Sequence, residues 1–132
     1  MLMGLLAWLH KRRAVRLIEN DLARLKASGL FDADPREAAQ NVVGWGVLSV
    51  PYRRVQSLHP NVMAVAWMLV YVLKDSLPRE ERLPYANAAV AMLRRTIEIR
   101  RAELTQEDGR VLEAALRELA VFIEQPHKPP VG

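Results

Sequence analysis

From Val62 to Leu73 the chain holds twelve apolar residues in a row, Val-Met-Ala-Val-Ala-Trp-Met-Leu-Val-Tyr-Val-Leu. Twelve is too few for the ~20 residues that carry a helix across a bilayer. A helix that is apolar on every side has to be covered on every side. The run therefore demands a shell of other elements around it, and that demand governs the rest of the reading. Its β-branched content also suits a buried strand. Helix is preferred, because every neighbouring segment carries helix signals and no partner strand is visible.

Four further segments supply the shell. The first runs from about Leu2 to Ser28, with Val15, Ile18, Leu22 and Leu25 on one face and Gly29 where a helix end favours glycine. The second opens on Asp34-Pro35-Arg36-Glu37, a cap followed by proline at the first helical position, and is expected to stop at Pro51. Inside it Gly44 and Gly46 flank Trp45. Each glycine costs ~1 kcal/mol against alanine in a helix interior, so either another helix packs very closely there or the helix bends. The fourth segment is expected to begin near Pro84, after a solvated turn over Pro78–Arg82, and to reach about Glu103. The fifth starts at Thr105-Gln106-Glu107-Asp108 and carries the stripe Leu112, Ala115, Leu116, Leu119, Phe122, Ile123. The expected fold class is all-α: a compact bundle of about five helices around the apolar third. Residues 1–124 form one domain, and the proline-rich tail 125–132 is irregular.

Catalytic chemistry is hard to find. There is no cysteine. His10, His59 and His127 lie far apart at segment edges and lack metal-ligand spacing. No serine sits in a Gly-x-Ser-x-Gly elbow, and no glycine-rich loop suits a phosphate. Asp32, Asp34 and Glu37 are dense enough to suggest a cation, but capping accounts for Asp34 and Glu37. A cofactor box built from Trp45, Trp67 and the methionines is weighed against core packing, and core packing is preferred. No enzyme activity, cofactor, metal or small-molecule substrate is expected.

Interaction surfaces are easier to nominate. The stretch Met1–Leu9 is apolar on most faces, then Lys11, Arg12 and Arg13 turn it basic. A secretory signal has the reverse order; with the missing cysteine, this leads to an expected cytoplasmic location. Residues 1–13 would complete the core, lie in a membrane interface with Trp8 at headgroup level, or fill a partner's groove. The protein-interface candidates are Leu5, Leu6, Trp8 and Leu9, together with Met63, Trp67 and Tyr71 of the apolar run should its shell be incomplete, most simply in a homodimer. The charge is +4, with fifteen arginines and four lysines among the basic residues. Lys11, Arg12, Arg13, Arg16, Arg53, Arg54, Arg94, Arg95 and Arg101 are candidates for nucleic acid or another anion if the fold gathers them. The leading expectation is a non-enzymatic helical interaction module, an accessory or adaptor subunit. The alternatives are a nucleic-acid-binding subunit and a peripheral membrane protein.

Overall fold

The computed structural model describes residues 2–125. Its helices are α1 (Leu2–Ala27), α2 (Pro35–Ser49), α3 (Tyr52–Val55), α4 (Pro60–Val72), α5 (Arg79–Arg100) and α6 (Gln106–Glu124), with a 3-10 turn at Arg101–Glu103. The apolar run is α4, and α1, α2, α5 and α6 all pack against it. Val62, Met63, Ala64, Val65, Trp67, Met68 and Val72 are fully buried. The one-turn α3, unsignalled in the sequence, joins α2 to α4.

The glycine pair in α2 resolves in favour of close packing. The helix is continuous, and a Cβ on Gly46 would fall 2.6 Å from Trp67 Cγ and 2.7 Å from its Cβ. Hydrogen at that position lets the two backbones approach. Trp67 Nε1 then donates to the Val50 carbonyl at 2.9 Å, so the same indole fills the notch and satisfies the C-terminal cap residue of α2. Gly44, two residues earlier, faces open space.

Helix ends are closed by side chains. The Asp34 carboxylate accepts from the Glu37 amide at 2.9 Å. His59 Nδ1 accepts from the Asn61 amide at 3.1 Å and opens α4. Asp108 is buried and serves two helices at once: Oδ2 accepts from the Thr105 amide in the capping box of α6, and Oδ1 accepts from the His59 amide at 2.9 Å. A carboxylate between two helix N-termini also meets two favourable dipole ends. Gly29, at φ 76°, turns the chain out of α1, and the Leu30 amide reaches back to the Leu25 carbonyl at 2.9 Å.

One boundary differs from expectation. The fourth segment begins at Arg79, not near Pro84, and Pro84 lies inside α5. The stretch read as a solvated turn is a helix start held by long-range contacts. Arg79 Nη2 lies 3.2, 3.0 and 3.1 Å from the carbonyls of Phe122, Ile123 and Gln125 at the end of α6. Arg82 Nη1 donates to the Val72 carbonyl at the end of α4, 2.9 Å away. Both guanidiniums lie over the Phe122 ring, at 5.5 and 5.1 Å. Two cations thus occupy the negative ends of two helices, which outweighs the one intrahelical bond that Pro84 forfeits.

Paired substitutions separate the two glycines. Gly46→Ala is expected to lose ~2 kcal/mol or more through overpacking against Trp67, whereas Gly44→Ala gains up to ~1 kcal/mol from helix propensity. Urea melts of the two variants check the opposite signs. Asp108→Ala removes a cap and strands the His59 amide, a combined loss of ~2–4 kcal/mol readable in the same melts.

Candidate interaction face on the first helix

The buried row of α1 is Ala14, Ile18 and Leu22, spaced by four. Followed toward the start of the helix, that row continues through Lys11 and Ala7, both half-buried. The leucines are not on it. Leu5 and Leu9 share the opposite row with Arg12 and Arg16, which are exposed. The apolar character of α1 therefore changes sides along the helix: inward over its second half, outward over its first turns. Leu5 is 52 % exposed, Leu6 40 %, Trp8 53 % and Leu9 44 %. These four do not complete the core.

Charge lies directly beside them. The Arg12 guanidinium sits 5.2 Å from the centre of the Trp8 ring. Leu6, Leu9 and His10 border a shallow depression of about 590 Å³ together with Arg12, Arg13 and Arg16. The face thus offers apolar contact and guanidinium donors within a few turns of one helix. His10 is hydrogen-bonded to the Tyr52 hydroxyl at 2.9 Å, with the rings tilted at 5.8 Å. That bond docks α3 beside α1, so exposed Arg53 and Arg54 follow directly on a residue that touches His10.

The remaining candidates separate. Met63 and Trp67 are fully buried and Tyr71 nearly so; Met63 and Trp67 offer no surface, because they lie on the sides of α4 that the surrounding helices cover, while Ala66, Leu69 and Val70 are half-buried. Arg95 has a structural partner: its Nη1 contacts both oxygens of the buried Asp21, at 2.9 and 3.0 Å, and Arg24 adds a third contact at 3.2 Å. Arg94 borders a small depression between α5 and α6 beside Glu124. Arg101 borders an apolar one of about 400 Å³ beside Ile97 and Leu116. The arginine pairs are therefore distributed over several faces. His59 is committed to capping α4, with Nε2 3.5 Å from Glu103. Met1 and the tail from residue 126, including His127, lie outside the described residues.

Among the described residues, no group of three or more histidines and carboxylates is placed to hold one metal ion, and no helix is long and apolar enough to cross a membrane. Comparison with protein-family models, curated proteins and solved structures finds no match for the chain.

A second concavity, which the sequence does not signal, lies where the α1–α2 connection meets the end of α4 and the start of α5. It has a volume of about 430 Å³, and Phe31, Tyr71 and Tyr85 line it along with Leu77 and Pro84. Burial, reinforced by the neighbouring Tyr71 and then by Glu81, pushes the Tyr85 hydroxyl well above the ordinary tyrosine range. A phenol that resists ionisation in the fold but ionises normally when unfolded weakens the fold as pH climbs past about 10. Stability is therefore expected to decline in alkali, with tyrosinate absorbance lagging behind that of the denatured chain. Tyr85→Phe should flatten that part of the pH profile.

Proposed function

We propose that this chain is a non-enzymatic helical interaction module, an accessory or adaptor subunit that docks through the outward face at the start of α1. The observation that carries the reading is the change of side along that helix. Leucines left 40–52 % exposed are only partly used by the fold, and a cluster of exposed large apolar residues marks a contact surface. The preferred partner surface is apolar with carboxylates beside it, matching Leu5, Leu6, Trp8 and Leu9 followed by Arg12, Arg13 and Arg16. In a sample of the purified chain, a second copy is the surface that can cover these side chains.

One observation favours a membrane surface as the second reading. An indole with an arginine against its ring suits the boundary between acyl chains and anionic headgroups. Nucleic acid draws less support, because Arg95 is engaged by Asp21 and Arg94 and Arg101 line separate depressions away from the start of α1.

Light scattering on the full chain at low salt tests the reading. The expected mass is a multiple of 15.0 kDa that Leu5→Ser/Leu9→Ser returns to 15.0 kDa. Flotation with vesicles containing anionic lipid, abolished by Arg12→Gln/Arg13→Gln, would favour the membrane. Excess absorbance at the nucleic-acid wavelength that high salt removes would favour nucleic acid. A chain that stays monomeric and ignores both would sink the assignment of this face.

A further inference from the structure

We propose that the depression beside the first half of α1 holds a soluble multivalent phosphate on Arg12, Arg13 and Arg16, and that this anion sets how strongly two copies meet through the adjoining leucines. The last step rests on the contact surface proposed for α1; the anion site does not. Several arginines of the chain are engaged internally. Arg79 and Arg82 close helix ends, and Arg24, Arg95 and Arg100 face carboxylates. Arg12, Arg13 and Arg16 are exposed and form no ion pair among the described residues. No carboxylate precedes Glu19 in the chain, so none is available along the first half of the helix.

Helix spacing gathers the three. Arg16 lies four residues from Arg12 and three from Arg13, which makes it the surface neighbour of both, and like charges at such spacings repel. A bound anion relieves that repulsion. All three border one depression of about 590 Å³, together with Leu6, Leu9 and Asn20, and no acidic residue lines it. The volume lies in the range of ligand pockets. The bond between Tyr52 and His10 docks α3 on the same helix, and Arg53 and Arg54 follow there, again without an ion pair among the described residues.

The donors select the anion. A guanidinium presents its N–H groups as a planar fork, and a single fork already satisfies the two oxygens of a carboxylate. Phosphoryl oxygens point in several directions and can accept from more than one fork. Two linked phosphoryl groups match a row of three arginines better than one does. A cation would meet like charge, and a neutral guest would leave the guanidiniums unpaired.

The same charges bear on contact between copies. Leu5 and Leu9 share their row with Arg12 and Arg16, so a second copy docked on the leucines brings its own arginines close. It supplies apolar surface but no carboxylate before its Glu19. A multivalent phosphate provides the missing counter-charge.

NMR of the arginine Nε–Hε groups in the full chain tests the site, with sodium pyrophosphate titrated in while sodium chloride holds the ionic strength fixed. Arg12, Arg13 and Arg16 are expected to shift saturably, with Kd on the order of millimolar, while exposed Arg36 on α2 and Arg117 on α6 stay put. Arg16→Gln should weaken binding at least ~5-fold without lowering the melting temperature, since it also removes a like-charge neighbour. Light scattering on the same samples should show pyrophosphate tightening association at least ~5-fold, and Leu5→Ser/Leu9→Ser should leave a monomer whose arginine signals still move. Shifts shared by Arg36 and Arg117, or reproduced by chloride alone, would overturn the anion site. A dimer whose strength is indifferent to pyrophosphate would overturn the coupling. A chain that stays monomeric in every buffer, with Arg12, Arg13 and Arg16 still shifting, would overturn the contact between copies rather than the anion site.

Discussion

The contact between Gly46 and Trp67 sets the spacing on which the bundle depends. A helix with eleven consecutive apolar residues, Val62 to Val72, must be wrapped over most of its surface, and four long helices among the described residues wrap it. Enclosure succeeds where backbones approach closely enough to leave no gap. At Gly46 the missing side chain lets α2 close onto α4, and the largest residue of α4 fills the space. The indole nitrogen then ties that packing to the end of α2. Core volume and helix termination are thus coupled through one residue pair.

Around this apolar centre, charges act chiefly on helix ends. Asp108 joins the starts of α4 and α6; Arg82 and Arg79 join their C-terminal ends to the start of α5. Groups that a helix cannot satisfy internally are paired with residues from other helices, so closing each end also fixes how the helices are arranged. Asp21 and Arg95 perform the comparable task between α1 and α5. Much of the arginine surplus is therefore structural, and a count of basic residues overstates the surface left for anions.

What the sequence reveals follows the range of the interaction. The helical α4 and the caps at Asp34 and Thr105 rest on local signals and are legible, whereas the glycine pair in α2 left close packing and a bend both open, and only the fold shows that Gly46 alone meets Trp67. The start of α5 is not, because Pro84 is a strong local stop, while the contacts of Arg79 come from residues more than forty positions away. Met63 and Trp67 could be nominated for an interface because composition cannot say which apolar surfaces find a cover within the chain. The leucines at 5, 6 and 9 show the reverse case: periodicity hints at a break near Lys11, but only the fold shows that they face away from the core. The aromatic cleft was beyond reach, since Phe31, Tyr71 and Tyr85 belong to three segments with no motif in common.

The continuity of α1 has a thermodynamic consequence. A peptide of the first dozen residues alone would scarcely hold a helix in water, because nucleation is unfavourable and few bonds follow it. Here the nucleus is supplied by the half of α1 pinned beneath α2, α4 and α5. The first turns are ordered in advance, so a partner docking on Leu5 and Trp8 in the proposed way would meet a fixed shape. Little conformational freedom would then be lost on this side of the encounter.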